Sequence, residues 1–349
     1  MSRQTSLPSR SGSRGSGSPK KPKKQKRTVY WLRRFMMLVL VILIGIAGYL
    51  GYLYKQSKDA LQAATADAEP GLVVPADQSV SVKPVGILLL GVDSRKETST
   101  LNTDVMMVAA LNPKTKKVTI VSIPRDSKIE LDGYKSRKAN AYYAKFRYNA
   151  IHEQKLDVKA AEKQAKQDLA KMLGKYFGIN ISYTATINFK GFSDVVDALG
   201  GVEVDVDMDM RYVDKADGTD ISLTKGRHKL NGDEALDFVR YRKSNDNTNM
   251  SNDLDRNKRQ SEVIGAITDK MKSFSGVTKL AGVIGAVGSN MRMDMPSSEV
   301  ENLLKTYFRT DRSDIEFVPL EGSWRSPYIR VSDKSLQAAS AALQAKLAD

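Results

Sequence analysis

The sequence predicts an α/β domain, with a mixed central sheet and helices on both of its faces, preceded by one transmembrane helix. Three observations carry that prediction. Short continuous apolar runs such as Val85–Gly91 and Val105–Leu111 read as strands buried on both faces. Longer stretches with apolar residues three and four apart follow them, which is the helical period. Phe35–Tyr54 contains no charged residue and is about as long as a helix that crosses hydrocarbon. Strands alternating with helices define layered α/β folds, and the roughly 260 residues of the domain are ample for one core.

The chain opens on a basic tail. Residues 1–34 hold eleven lysines and arginines and no acid, which leaves 44 basic against 40 acidic residues in the remainder. The net charge of +15 is therefore concentrated at one end. Ser, Gly, Pro, Lys and Arg dominate the tail, a composition too poor in apolar residues to fold. Basic residues crowded on one side of an apolar span set its orientation. The chain is thus expected to be a single-pass protein of the cell membrane, with a cytoplasmic N-terminus and an extracytoplasmic remainder. The tail's charge then serves topology and membrane lipid headgroups, with no nucleic acid as partner. Trp31, Tyr49, Tyr52 and Tyr54 cluster toward the ends of the span, as interfacial aromatics do. Residues 55–83, broken by Pro70 and Pro75, read as an extracytoplasmic stalk. The folded domain is expected over residues 84–349.

Its elements follow in order. Lys117–Ile123 is a third buried strand, set off from the second by a turn at Asn112-Pro113. A loop carrying Lys138 and Asn140 leads to a helix over Val158–Phe177 that stops at Gly178. Tyr183–Ile187 is a strand, and Phe189–Leu199 a helix closed by Gly200-Gly201. Val202–Val206 is another strand. Asn231 caps a helix running to about Tyr241. Leu254–Met271 is a helix headed by arginines, followed by helices near Val277–Val287 and Ser297–Phe308. Strands at Ile315–Leu320 and Tyr328–Val331 precede a terminal helix carrying Leu336, Leu343 and Leu347.

Composition narrows the chemistry. With no cysteine, disulfides, thiolate metal sites and thiol nucleophiles are excluded. The two histidines, His152 and His228, stand far apart and near no carboxylate pair. No phosphate-binding Gly-Lys-Ser/Thr loop, serine elbow or zinc motif is present. What remains is arginine and carboxylate. Arg256, Arg259 and Gln260 fall on the helix face that carries Val263 and Ile267 two turns later. An inward arginine is unfavourable unless an anion meets it, and a planar fork suits phosphate or carboxylate. Ion pairs with Asp253 or Asp255 would meet that need; Arg240 and Arg242 just upstream favour a polyphosphate clamp instead. Asp93 follows the first strand, at the carboxyl end where α/β sheets collect ligands. Asp104 precedes the second and reaches the same rim only if that strand is antiparallel. Two such carboxylates suit Mg²⁺, or else cap a turn and pair with Arg95 or Lys96. Arg125 ends the third strand beside Asp126. The inventory fits phosphoryl transfer, in which a protein positions reactants and neutralises charge.

Taken in order, several segments form a recognisable set: Leu88-Leu-Leu-Gly-Val-Asp93-Ser-Arg95, Thr103-Asp104-Val-Met-Met-Val, Val121-Ser-Ile-Pro-Arg125-Asp126, Asp197-Ala-Leu-Gly-Gly-Val-Glu203, Leu230-Asn-Gly-Asp-Glu-Ala-Leu, Val239-Arg240-Tyr-Arg242, and Asp253-Leu-Asp-Arg256-Asn-Lys-Arg259-Gln260. The chain resembles the LytR-CpsA-Psr family of Gram-positive bacteria across roughly residues 85–275, and more weakly to about 331. The resemblance implies a three-layer α/β/α extracytoplasmic domain on one membrane anchor. It implies a phosphotransferase that moves an anionic glycopolymer, such as wall teichoic acid or capsule, from an undecaprenyl-pyrophosphate carrier onto peptidoglycan. It assigns Mg²⁺ to Asp93 and Asp104. It assigns the pyrophosphate to Arg125, Arg240, Arg242, Arg256 and Arg259 with Gln260 beside them, and the prenyl chain to a long apolar groove. Lys138 is a further substrate-binding candidate, and Asp93 a candidate for assisting deprotonation of the attacking sugar hydroxyl. Two positions depart from the family pattern. Asn102 stands where an arginine is usual, and Asp255 where a glycine is usual and where it could pair with Arg256. A polyprenyl-pyrophosphate hydrolase and a non-catalytic binder of anionic wall polymers are the competing readings. A DNA-binding regulator conflicts with the expected topology.

Overall fold

Alternation along three adjacent strands builds the centre of the molecule. In the computed structural model, β1 (Val85–Val92), β2 (Thr103–Asn112) and β3 (Lys117–Ser122) are antiparallel neighbours. Leu88, Leu90, Met106, Val108 and Val121 fill one side of them, and Ile87, Met107, Ala109 and Ile120 the other. Each strand is buried on both faces, which is why each reads as a continuous apolar run. Gly91 allows β1 and β2 to close at their end, since a Cβ there would lie 2.9 Å from the Val105 Cβ. The structure describes residues 55–92, 103–215, 218–273, 282–285, 288 and 290–348, with Met37 and Tyr52. The basic tail and most of the Phe35–Tyr54 span lie outside these, as do Asp93 and Asn102. Among the described residues no helix is long and apolar enough to cross a membrane.

Outside that trio, β4 (Lys128–Leu131) and β5 (Tyr134–Lys138) form a hairpin. The central sheet then gains β6 (Tyr183–Asn188) parallel to β1. Two further pairs are β7 (Val202–Val206) with β10 (Gly226–Leu230), and β8 (Met210–Asp214) with β9 (Thr219–Leu223). β11 (Met291–Met293) joins β6 antiparallel, and β12 (Ile315–Pro319) joins β3 parallel. The six-stranded mixed sheet thus runs β11-β6-β1-β2-β3-β12. β13 (Gly322–Arg325) and β14 (Tyr328–Val331) close the set as a hairpin.

The helices are α1 (Ala141–His152), α2 (Val158–Phe177), α3 (Phe189–Ala198), α4 (Gly232–Arg240), α5 (Asp253–Lys272), α6 (Ser297–Tyr307) and α7 (Asp333–Leu347). They cover both faces of the sheet. α2 starts where the Asp157 carboxylate accepts from the Lys159 and Ala160 amides, and it ends at Gly178 in the left-handed region, φ 67°. Its Leu169, Met172, Leu173 and Phe177 pack on one face with Leu343 of α7. Each such side chain taken from water contributes about 1.5–3 kcal/mol. Val300 of α6 and Ile264 of α5 pack on the opposite face. A third cluster joins α4 and α5 to β7, β8 and β10 through Phe238, Val263, Val204 and Met210.

Three expectations need correction. Residues 141–152, to which no element was assigned, are α1; its buried residues are two tyrosines and one alanine, so no aliphatic stripe marks it. Lys138 ends strand β5 rather than sitting in a loop, and the Asp132-Gly133 turn, with Gly133 at φ 84°, was the available hairpin signal. Residues 55–83 do not stand off as a stalk. Residues 55–64 are helical, and Leu61 and Val80 are buried in the core cluster beneath α6. The Glu299 carboxylate accepts from the Val80 amide at 2.7 Å and from Ser79 Oγ at 3.1 Å. Asp67 makes a buried ion pair with Lys166 of α2, the two side chains being 7% and 3% exposed. The prolines announced a break in helix but said nothing about which flanking residues would be covered. The helix expected near Val277–Val287 lies mostly outside the described residues; residues 282–285 of it are helical.

Removing one partner of a buried ion pair strands the other charge. Asp67→Ala is therefore expected to lower the unfolding free energy by about 3–5 kcal/mol, and the double replacement Asp67→Leu/Lys166→Met by distinctly less. Urea denaturation of the two variants checks this; equal losses would mean that the pair does not anchor the segment.

Candidate functional site

Because β2 runs antiparallel to both neighbours, its start shares a rim with the ends of β1 and β3. Val92 pairs with Thr103. The Ile123 amide donates to Met106 O at 2.9 Å, which carries the pairing past the end of β3. Arg125 is thereby brought onto Asp104, with Nη1 to Oδ1 at 2.8 Å. The antiparallel condition for Asp104 to reach the ligand rim is met. Asp93 follows Val92 directly in the chain and lies outside the described residues. Arg125 Nε is buried without a hydrogen-bond partner and lies 4.0 Å from Asp126 Oδ2. Asp126 is instead engaged by Lys138 Nζ at 2.9 Å.

The second wall comes from α4, α5 and the segment between them. Asn231 and Glu234 form a capping box at the start of α4, which ends at Arg240. Asn252 starts α5 in the same way, accepting from the Leu254 and Asp255 amides, while the Asp255 carboxylate accepts from the Asn252 amide at 3.0 Å. Asp255 is thus a helix cap and not a partner of Arg256. The carboxylate beside the arginines is Asp253, 3.4 Å from Arg256 Nη1 and 3.8 Å from Arg242 Nη2. Arg256 is 5% exposed and its Nε has no hydrogen-bond partner. Burial, then the nearby Arg242 and Arg125, hold the Arg256 guanidinium well below the usual arginine range, at about 10. Burial and Arg125 lower Arg242 as well. Three guanidiniums therefore repel one another although Asp104, Asp126 and Asp253 are close. Such a cluster is built to be completed by an anion carrying more than one charge.

Behind the cluster lies an apolar cavity of about 240 Å³. Leu89, Val105, Met107 and Ile187 of the sheet form its floor, with Phe192, Leu236, Val239, Ile264 and Ile267 from α3, α4 and α5 around it. Its polar wall residues include Asp104, Arg240, Arg256 and Gln260. The Arg240 guanidinium lies 4.6 Å from the Phe189 ring centroid, a cation–π contact at the edge of the apolar wall. The structure therefore brings together Asp104, Arg125, Arg240, Arg242, Arg256 and Gln260, with Lys138 held one residue further out by Asp126.

Arg259 stands apart. Its Nε and Nη2 donate to both carboxylate oxygens of Asp207 at 2.7 and 2.8 Å, and Nη1 donates to Tyr241 O at 3.2 Å. Its fork is satisfied inside the protein, and its side chain is 3% exposed. What it grips is the backbone between Arg240 and Arg242, so its geometry is that of a positioning residue rather than a phosphate ligand. Asp207 was missed by the sequence reading. An acid closing a Glu-x-Asp-x-Asp alternation after β7 looks like ordinary strand patterning, and only the fold sets it against α5. The histidines are elsewhere: His152 packs on the Tyr148 ring, and His228 Nε2 sits 3.3 Å from Thr224 Oγ1 at the surface.

Among the described residues no three His, Cys, Asp or Glu side chains gather as a metal site. Magnesium needs fewer, since one or two carboxylates suffice when waters and phosphate oxygens complete its shell. Asp104, with one oxygen toward Arg125 and Asp93 expected beside it, fits that requirement.

Comparison with known proteins identifies the family of the chain. Residues 49–345 match the LytR_cpsA_psr family, and the chain belongs to it. It is 34% identical over 226 residues to the polyisoprenyl-teichoic acid–peptidoglycan teichoic acid transferase TagU of Bacillus mycoides (strain KBAB4), covering 64% of this chain and 65% of that protein. It is 30% identical over 268 residues to the transferase TagT of Bacillus subtilis (strain 168), covering 74% and 75% of the two chains. The match thus spans about 65% of the length of the TagU relative. A solved structure of TagT bound to LI-WTA superposes with a TM-score of 0.55 at 27% identity, covering 79% of this chain and 99% of that one.

Inorganic pyrophosphate should relieve the repulsion among the arginines. At about 100 times its Kd it is expected to add roughly 2.7 kcal/mol of stability, read as a rise in Tm. Arg256→Ala should abolish that rise, read against the variant's own ligand-free Tm, which falls because Asp253 loses its buried partner. A pyrophosphate-induced rise retained by Arg256→Ala would place the anion site elsewhere.

Proposed function

We propose that the protein is a Mg²⁺-dependent phosphotransferase that moves an anionic glycopolymer from an undecaprenyl-pyrophosphate carrier onto peptidoglycan. The observation that carries this is the junction of one apolar cavity with one arginine cluster. A ligand that fits both carries an apolar chain joined directly to a polyanion, a description that a polyprenyl pyrophosphate meets. The names of the TagU and TagT relatives, and TagT's structure with LI-WTA, support the same class of donor. Residues Phe35–Tyr54 would anchor the chain in the cell membrane, with the catalytic domain outside.

In this reading Arg242 and Arg256 bind the pyrophosphate with Arg125, and their charge counters the negative charge on the departing phosphate. Arg240 and Gln260 hold the phosphate at the mouth of the cavity, where the prenyl chain is drawn away from water. Lys138, fixed by Asp126, adds a cation at the outer edge. Asp207 and Arg259 keep Arg240 and Arg242 in register through Tyr241 O. Asp104 and Asp93 would hold Mg²⁺, which supplies charge neutralisation on the phosphate oxygens when bound. A sugar hydroxyl of peptidoglycan attacks the phosphorus that carries the polymer. A new P–O bond forms as the bridging P–O bond breaks, prenyl phosphate leaves, and the hydroxyl proton passes to a base for which Asp93 is the candidate.

The test incubates the protein with a lipid-pyrophosphate-linked glycan and a peptidoglycan oligosaccharide, with Mg²⁺ or with chelator, and reads products by mass spectrometry. A glycan–phosphate–peptidoglycan conjugate that disappears with chelator is expected. Arg242→Ala should lower its rate of formation by about 10²–10³, the scale of losing one preorganised charge contact. Free glycan phosphate without conjugate would instead establish a hydrolase, and binding without turnover a non-catalytic polymer binder.

A further inference from the structure

A second, polar cavity of about 330 Å³ opens on the same sheet rim. It shares Thr186 and Asn188 as wall residues with the apolar cavity, but its other walls come from the opposite side of the sheet. Tyr143 of α1 and Lys159 and Glu162 of α2 line it, and these helices pack on the sheet face opposite α5 and α6. Arg292 and Asn290 close its far side. The buried Asp67–Lys166 pair also lines it and holds α2 to the segment before β1. The larger cavity lined by Glu203, Arg227 and Arg312 shares no wall residue with the apolar one.

We propose that this polar cavity is the subsite for the acceptor saccharide. The inference rests on the transferase reading above and adds to it the place from which the second substrate approaches. Three arguments support it. The first is direction. In phosphoryl transfer the attacking and leaving oxygens lie roughly in line across the phosphorus. A donor whose prenyl phosphate leaves into the cavity on one face of the sheet is attacked from the other face, and the polar cavity is there. The second is reach. Asn188, Val92 and Asp104 sit on the neighbouring strands β6, β1 and β2, and Arg125 follows the end of the next strand, β3. Strands are about 4.8 Å apart, so β1 lies about 10 Å and β6 about 14 Å from the line of β3 that leads to Arg125. A short oligosaccharide, about two or three units long, spans that gap. The third is chemistry. Lys159, Lys166 and Arg292 are nearly balanced by Asp67 and Glu162, and Asn188 and Asn290 add amides. A wall of mixed donors and acceptors with little net charge suits a polyhydroxylated, amide-bearing ligand. The polyanionic donor is better served by the arginines, and a hydrocarbon by the other cavity.

The experiment uses the full chain carrying Lys159→Ala and Arg292→Ala together. Both side chains are partly or fully exposed and neither belongs to the donor site, so folding should persist, as circular dichroism and Tm will show. With lipid-pyrophosphate glycan as donor and a peptidoglycan oligosaccharide as acceptor, the acceptor KM should rise tenfold or more, the scale of losing hydrogen bonds from charged donors. Donor cleavage without acceptor, and the pyrophosphate-induced rise in Tm, should match wild type. An unchanged acceptor KM would overturn the assignment. So would a parallel fall in donor cleavage, which would place these residues on the donor instead. If wild type makes no conjugate at all, the transferase reading falls, and calorimetry with the oligosaccharide alone still decides the subsite. Binding by wild type that the double variant loses upholds it; equal binding, or none by wild type, overturns it.

Discussion

Concentrated positive charge is the constraint around which this molecule is arranged. Arg125, Arg242 and Arg256 stand close enough that burial and mutual repulsion pull Arg256 to a pKa of about 10. Buried like charges are unfavourable by themselves, so the rest of the fold must hold them in place. Their two nearest carboxylates do so incompletely. Asp104 accepts a good hydrogen bond from Arg125, whereas Asp253 stands at 3.4 and 3.8 Å from its two arginines. The unsatisfied remainder, including two buried Nε atoms, is what an incoming polyanion can use.

Each arginine is carried by a different device. Arg125 is set by strand pairing that continues past the end of β3. Arg256 is set by the capping box of Asn252 and Asp255, so the acid that departs from the family pattern is spent on the helix start and leaves Asp253 to face the guanidiniums. Arg240 and Arg242 flank Tyr241, whose carbonyl is gripped by Arg259, itself locked by Asp207. The bidentate Asp207–Arg259 pair is better made than any ion pair inside the cluster. That contrast separates an arginine used as a bracket from arginines left free to bind.

The sheet divides the surroundings of this cluster into two kinds of space. On one face, α3, α4 and α5 leave an apolar cavity whose polar wall includes Arg240, Arg256 and Gln260. On the other, α1 and α2 leave a polar one. The segment before β1 touches both faces, since Asp67 meets Lys166 of α2 on one side and Glu299 of α6 holds Ser79 and Val80 on the other.

Much of this was legible in the chain itself. Apolar runs marked β1, β2 and β3 because strands buried on both faces cannot afford polar residues. Helical spacing placed Arg256, Gln260 and Val263 on one face of α5, and that face proved to be buried. Local chemistry also determined the cap at Asn231, because a cap is satisfied within three residues. What only tertiary structure decided are the pairings between distant segments: Asp207 with Arg259, Asp67 with Lys166, Arg125 with Asp104, and the two cavities on opposite faces of one sheet. Residue type and period report which side chains will turn inward. They carry no information about which of many similar acids each buried arginine will meet, because that depends on the order and direction of strands far apart in the chain.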